Sequence, residues 1–163
     1  SLTDLGDDEK LVGLATESFD DLQRVMGDRK GSGGLGGKKP AEVILRLIER
    51  GQCNIELRDE LYLQLVKQLT ENPGAESRRR GWEVVCCYVT VFPPSIVMDQ
   101  WMLDWIAAAR DGDPDADIRR MAGHAHKKLA RLCQVGPKGR IPKIEEVERA
   151  MVAPFRQSPF GET

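Results

Sequence analysis

The chain has 163 residues, of which 40% are hydrophobic and 31% are charged, and its formal net charge is −2 at pH 7. This composition excludes a disordered or fibrous chain, and the length suffices for one hydrophobic core without disulfides or metals. No apolar run approaches the roughly 20 residues of a transmembrane helix. The four cysteines form no Cys-x-x-Cys pair, which favours reduced thiols and a cytoplasmic location. Because the sequence starts with Ser1, we expect a piece of a larger protein.

Charge is unevenly distributed along the chain. Residues 1–21 are strongly acidic, whereas residues 118–144 contain eight bases and no acid. Such a segment raises the local positive potential and can attract an acidic partner, although a solvated helix face is the simpler alternative. The candidate binding residues of this basic segment are Arg119, Arg120, Lys127, Lys128, Arg131, Lys138, Arg140 and Lys143.

Apolar residues that recur every three or four positions predict helices throughout the chain. Glycines, prolines and capping residues divide this pattern into seven segments. They are Glu9–Met26 before Gly27, Pro40 to Gly51, Asn54 or Asp59 to Asn72, Ser77 to Phe92, a helix from Ser95, Asp113 to Gly136, and a short helix after Pro142. Gly51 is expected to stop the second helix, and Ser77 and Ser95 to cap the next two N-termini. Between the first two helices, Gly31–Gly37 predicts a flexible loop.

One segment, Val84–Val89, is also compatible with a buried strand by its periodicity. We favour a helix because the neighbouring segments are helical and the sequence offers no partner strand. The buried face of the following helix is predicted to comprise Met98, Trp101, Met102, Trp105 and Ile106. The sequence therefore predicts an all-α protein, a single compact bundle of about seven helices.

Three motifs resemble a dinucleotide, calcium or metal site, but each lacks a feature that such a site needs. Gly31-x-Gly33-x-x-Gly36 has the letters of a dinucleotide-binding loop, but no strand precedes it. The acids of Asp111–Asp117 alternate as in a calcium loop, but alanines occupy the positions that need glycine and glutamate. His124 and His126 point to different sides of a helix and cannot share a metal. We predict no catalytic residue, no metal and no cofactor.

A succession of separated motifs carries more information than any of these. The residues concerned are Arg58, Asp59, Glu60, Tyr62, Gln64, Gln68, Arg80, Gly81, Trp82, Phe92, Pro93 and Pro94. In this order they closely resemble the myosin tail homology 4 domain, an all-helical module. The resemblance is strong from Pro40 to Ser95, and the later helices agree with it to about Glu148.

These motif residues are interpreted as structural. If Gln64 and Gln68 are buried, their amides need hydrogen-bond partners. Arg80 could supply one, or could pair with Asp59 or Glu60. Gly81 is expected to let a neighbouring helix approach closely beside Trp82, and the two prolines to fix the corner before the next helix.

The resemblance, together with an acidic helix and a glycine-rich insert that are not part of the family pattern, implies a domain organisation. Residues 1–39 would form an acidic helix and a glycine-rich loop, residues 40–152 the myosin tail homology 4 domain, and residues 153–163 a linker. The last residues resemble the start of a Rho GTPase-activating domain more than that of a FERM domain. Any catalysis, by a GTPase-activating or a motor domain, would lie outside this sequence.

The resemblance also implies a function, since such domains dock cytoskeletal cargo and several bind microtubules. The exposed tails of tubulin are acidic, so the basic segment is the expected contact, in a cytoplasmic, cytoskeleton-associated protein. The alternative is a structural module that positions a neighbouring Rho GTPase-activating or FERM domain. The same bases could bind nucleic acid or a membrane surface, but the sequence favours neither. The acidic first helix could mask the basic segment.

Overall fold

A computed structural model describes residues 2–6, 8–28 and 34–156 of the chain. Within them lie seven α-helices and no strand, which confirms the predicted all-α fold. The helices are α1 (Glu9–Met26), α2 (Pro40–Cys53), α3 (Arg58–Leu69), α4 (Ala75–Tyr88), α5 (Ile96–Gly112), α6 (Ala116–Val135) and α7 (Ile144–Val152). Single 3₁₀ turns precede α3 (Ile55–Leu57) and follow α7 (Ala153–Phe155). Residues 31–33 of the predicted loop and 157–163 of the predicted linker lie outside the described residues.

Local chemistry explains several helix ends. The Asp8 side chain accepts hydrogen bonds from the backbone N–H groups of Lys10 and Leu11 at the start of α1. Gly27 ends this helix in the left-handed conformation at φ 77°, which glycine adopts without strain. Asp115 caps α6 by accepting a hydrogen bond from the N–H of Asp117. The predicted limits of α1 are confirmed, whereas α6 ends before Gly136 as predicted but begins at Ala116, three residues after the predicted Asp113.

The hydrophobic core lies where the helices converge on α4. Val84, Val85 and Cys86 are fully buried, and the segment that could have been a strand is helical. Leu22 of α1 belongs to the same core as these residues. The predicted domain boundary at residue 40 stays a prediction, although α1 packs directly on the later helices.

Two capping predictions are wrong. Gly51 does not stop α2 but lies inside it and is buried against another helix. Ser77 lies in the first turn of α4, which Gly74 precedes, and its hydroxyl donates to the carboxylate of Asp28 at 2.7 Å. Ser95 does precede α5, but its side chain makes no capping hydrogen bond to that helix.

The predicted buried face of α5 is only partly right. Met102 and Ile106 are fully buried against the rest of the bundle, and Met98 is half-buried. Trp105 stacks on Trp82 with ring centroids 5.2 Å apart. Trp101 is 48% exposed, because α6 is the main partner of α5 and covers one side of it.

Candidate functional site

Three cations of α6 form the most open part of the basic segment. Lys127, Lys128 and Arg131 are exposed, whereas Leu129 between them points into the core. At 3.6 residues per turn, the three cations occupy a sector of about 100° on the helix circumference. Among the described residues, no carboxylate lies within 4.0 Å of any of them. We call these three residues the basic surface.

Two other arginines of α6 make intramolecular contacts. The Nε of Arg120 donates to the carbonyl oxygen of Pro154 at 2.7 Å, and its guanidinium lies 5.9 Å from the ring centroid of Phe155. Arg119 donates a hydrogen bond at 2.7 Å to the carbonyl oxygen of Asp113, a residue that precedes the start of α6. Arg120 therefore connects the basic segment to the turn that follows α7.

The last three bases of the segment lie between α6 and α7. Arg140 makes a two-pronged ion pair with Glu146, at 2.8 and 2.9 Å, so its charge is neutralised within the domain. This hydrogen bonding lowers the pKa of Glu146 to about 2. Lys143 precedes α7 and is exposed, and its backbone N–H donates to the same carboxylate at 3.1 Å. Lys138 is exposed, and its backbone N–H donates to the carbonyl oxygen of Val91 at 2.9 Å.

A cleft beside the basic surface brings further cations together. Lys128, Lys138 and Arg149 line it, with the half-buried His124, over an apolar floor that includes Val147. The sequence interpretation missed Arg149, because three glutamates surround it in the chain. The sequence could have pointed to Arg149 through its position on the last predicted helix. It lies three residues after Glu146, close to one helical turn, and five residues after the first residue of α7. Glu146 also lines the cleft, but Arg140 binds its carboxylate, so the cleft can hold an anionic group against the remaining cations.

His124 reports on the electrostatics of this cleft. Burial lowers the pKa of its imidazole, and the positive charges of Lys128 and Lys127 lower it further. The imidazole is therefore a neutral group in a positive environment. The sequence alone predicts only that His124 and His126 cannot share a metal. Among the described residues no group of histidine, cysteine and acidic side chains could hold a metal ion.

Two acids of α1 form ion pairs with arginines outside the basic surface. Asp21 is buried and forms ion pairs with Arg24, with Arg46 at 3.1 Å and with Arg50 at 2.8 Å. Glu17 lies 3.9 Å from Arg50. Because these two acids pair with arginines of α1 and α2, their ion pairs provide no support for masking of the basic segment.

The acids before α6 also bind arginines. Asp113 pairs with Arg78, and Asp115 pairs with Arg79 at 3.0 Å. Hydrogen bonding to Arg79 lowers the pKa of the Asp115 carboxyl. These ion pairs favour a structural role for the acidic loop between α5 and α6. They attach this loop to α4.

The first family motif joins helix ends. Arg58 donates to the carbonyl oxygens of Gly51 and Gln52 at the end of α2. Asp59 accepts hydrogen bonds from the N–H and the hydroxyl of Ser95, at 2.7 and 2.6 Å. The buried Glu60 accepts hydrogen bonds from the N–H groups of residues 2 and 3.

The remaining motif residues also make structural contacts. The hydroxyl of Tyr62 donates a hydrogen bond to the carbonyl oxygen of Phe92 at 2.7 Å. Phe92 is followed by Pro93 and the buried Pro94. The amide of Gln64 donates to the carbonyl oxygen of Ala15 at 2.9 Å. Gln68 lies one turn further along α3, where its Nε2 is buried and has no partner in the described part of the chain.

The predicted partners of Arg80 are wrong, whereas the close approach at Gly81 is confirmed. Arg80 pairs with Glu83 on its own helix at 3.2 Å, because these residues are one turn apart. A Cβ atom at Gly81, beside Trp82, would lie 2.6 Å from the side chain of Leu69. A side chain at residue 81 would therefore displace the ends of the Leu69 and Met26 side chains.

The chain is similar in sequence to known proteins. A family model described as the MyTH4 domain matches residues 44–149. Unconventional myosin-XVB of Homo sapiens is 30% identical over 148 residues, which cover 91% of this chain and 4% of that protein. Kinesin-like protein KIN-14E of Arabidopsis thaliana is 29% identical over 143 residues, which cover 85% of this chain and 11% of that protein.

A solved structure shows a similar fold. It is the human Myosin 7b C-terminal MyTH4-FERM domain in complex with the harmonin-a PDZ3 domain. The TM-score is 0.73 at 26% sequence identity, over 85% of this chain and 27% of that one. This chain thus spans a small part of each of these relatives. None of the helices in the described residues is long and apolar enough to cross a membrane.

Proposed function

Because the chain belongs to the MyTH4 domain family, we propose that it is a non-catalytic docking module that binds the acidic tails of tubulin on the microtubule surface. Lys127, Lys128 and Arg131 make the primary contact, and Lys138 and Arg149 extend it into the cleft. The observation that carries this proposal is the group of three exposed cations with no acidic partner in the described part of the chain. Myosins and a kinesin-like protein among the relatives are consistent with a cytoskeletal role.

Flexible acidic tails suit this surface. Exposed cations attract an acidic chain over about 8–10 Å at physiological salt, and they do not require a deep pocket. Such contacts act mainly on the association rate and weaken steeply as salt is added. Arg119 and Lys143 are exposed as well and add to the positive potential of the basic segment. Arg120 and Arg140 contribute less to tail binding, because each has a partner within the domain.

Cosedimentation with stabilised microtubules tests the proposal. We expect the full 163-residue chain to pellet with microtubules at low salt and to be released as salt rises. Removal of the tubulin tails by limited proteolysis should release it as well. The double substitution Lys127→Glu/Lys128→Glu should weaken binding by at least about tenfold, because it replaces two attractive charges with two repulsive ones. Its circular dichroism spectrum should match that of the unsubstituted chain, since both lysines are exposed.

A control variant distinguishes the effect of charge at Lys127 and Lys128 on microtubule binding from the effect of the net charge of the chain. Lys10→Glu/Lys67→Glu changes the net charge by the same amount, on exposed positions of α1 and α3. It should retain most of the binding. If both double variants lose binding equally, the attraction comes from net charge and not from this surface. If the unsubstituted chain does not pellet even at low salt, tubulin is not the partner.

A second candidate function rests on Arg120. Its contacts with Pro154 and Phe155 fix the turn that leads out of α7. In this alternative the domain positions a neighbouring domain, such as a Rho GTPase-activating or FERM domain, and the basic segment packs against that neighbour. Absence of microtubule binding at low salt would favour this function. Binding that is lost when the tubulin tails are removed favours the docking function. Binding to another acidic cytoskeletal cargo protein favours it as well.

A further inference from the structure

Helix α5 exposes a second surface, which differs in character from the basic surface. Ile96 and Val97 in its first turn are 90% and 92% exposed, and Trp101 one turn later is 48% exposed. One exposed apolar side chain is ordinary, but three large ones within two turns form a contiguous patch that is left in water. Patches of this kind mark interaction sites.

The apolar surface continues towards the C-terminal end of α5. Val97, Trp101, Ala108 and Gly112 recur at helical spacing over about 22 Å, and the exposed Asp104 lies beside this stripe between Trp101 and Ala108. Near its far end, the stripe borders a shallow cleft that is lined by the stacked pair Trp82 and Trp105. A Cβ atom at Gly112 would meet nothing within 4 Å, so this end is open to a partner.

Charge selects the kind of partner. The sequence of α5 contains three acids, Asp99, Asp104 and Asp111, and the single base Arg110. Arg110 is bound to Asp111 at 2.9 Å, so the helix offers no free cation. Asp104 is exposed, and its carboxylate accepts a hydrogen bond only from the neutral amide of Gln100 in the described residues. Asp111 is neutralised by Arg110 and Asp99 is half-buried, so Asp104 is the exposed free charge that the described part of α5 offers, and it attracts a cation and disfavours an acidic tubulin tail or an anionic membrane.

We propose that the exposed face of α5, from Val97 to Gly112, docks an amphipathic helix with a basic flank from a partner protein. The stripe is as long as about four helical turns. Its small residues, Ala108 and Gly112, leave the groove into which the ridge of another helix can pack. Trp101 supplies a large apolar contact, as aromatic side chains commonly do at interfaces. Asp104 pairs with a lysine or arginine on the flank of the incoming helix. This proposal is independent of tubulin binding.

A model peptide tests the proposal on the full chain. The probe is a synthetic helix of about 18 residues with leucines on one face and lysines beside them, and its matched peptide carries glutamates in place of lysines. We expect the lysine peptide to bind more tightly and to shift the backbone amide NMR signals of α5. The variant Ile96→Ser/Val97→Ser should bind it about tenfold more weakly. Asp104→Lys should weaken it about threefold and improve binding of the glutamate peptide.

Matched controls make the outcomes decisive. Val135→Ser removes an exposed valine at the end of α6 and should leave peptide affinity unchanged. Equal affinity for both peptides, shifts away from α5, or undiminished binding by the double serine variant would overturn the proposal. Binding to vesicles of anionic lipid that requires Val97 would assign the face to a membrane instead. Self-association in sedimentation velocity that the serine variant abolishes would assign it to a second copy of this chain.

Discussion

Phe92 lies directly against Gly51, so that a Cβ atom at Gly51 would stand 2.4 Å from the ring carbon Cζ. The same Cβ would lie 2.8 Å from Cδ1 of Leu61. The guanidinium of Arg58 lies over the Phe92 ring, 5.4 Å from its centroid, and donates to the carbonyl oxygen of Gly51. This joint couples the end of α2, the start of α3 and the turn after α4, and it requires the absence of a side chain at residue 51.

The substitution Gly51→Ala should therefore destabilise the fold. The added methyl group clashes with a fully buried ring, and overpacking of this kind costs about 1–3 kcal/mol. Urea denaturation followed by circular dichroism measures the loss. Gly13→Ala is the matched control, because nothing lies within 4 Å of its Cβ position on α1. That variant should gain about 0.5–1 kcal/mol from the helix preference of alanine. Equal stability of the two variants would contradict the packing argument.

A second prediction concerns the buried hydroxyl of Tyr62. Its hydrogen bond to the carbonyl oxygen of Phe92 is 2.7 Å long and fully buried. Tyr62→Phe leaves that carbonyl without a partner and should cost about 1–3 kcal/mol in the free energy of unfolding. Tyr88→Phe is the control, because the Tyr88 hydroxyl makes no hydrogen bond within the described residues and the residue is equally buried. A larger loss at Tyr88 than at Tyr62 would refute the role of this hydrogen bond.

The helices could be predicted because their causes are local in the sequence. Apolar periodicity, Pro40 and Gly27 set the ends of elements without reference to distant residues. Gly51 misled the prediction, because a sequence does not show whether glycine serves a helix end or a close approach. In this case the cause is Phe92, which lies forty-one positions away in the chain. Trp101 misled it as well, because periodicity cannot show that α5 has a neighbour mainly on one side.

The candidate site was predictable in composition but not in arrangement. The eight bases are visible in the sequence, but the partners that neutralise some of them are not. Arg140 finds Glu146 six residues on, whereas Arg120 finds the carbonyl of Pro154 thirty-four residues on. Arg149 joins the cleft only because α7 packs on α4 and α2, which brings its side chain to the same cleft as Lys128. Tertiary packing therefore decides which cations remain available to a partner.

A third prediction concerns pH. The pKa of His124 is lowered in the folded chain by burial and by the nearby lysines. In the unfolded chain the imidazole takes up its proton at a higher pH, near 6.5, so the stability of the fold decreases as pH falls below about 7. His124→Gln should reduce this loss between pH 7 and 5, as measured by thermal unfolding. Lys128→Gln should raise the pKa of His124 in an NMR titration, and an unchanged titration would contradict the assigned cause.

The last prediction separates the two functions of the basic segment. Arg120→Ala removes the hydrogen bond to Pro154 and the contact with Phe155, so the turn after α7 loses its attachment to α6. Amide hydrogen exchange at Ala153, Phe155 and Arg156 should accelerate by about fivefold to tenfold, which corresponds to ~1 kcal/mol of local stability, while the core amides stay protected. Arg119→Ala is the control, since Arg119 bonds to the carbonyl oxygen of Asp113 before α6 and should leave the turn after α7 unchanged. If Arg120→Ala weakens microtubule cosedimentation without affecting exchange at the turn, Arg120 belongs to the binding surface. If exchange accelerates and cosedimentation persists, its charge serves to hold the turn.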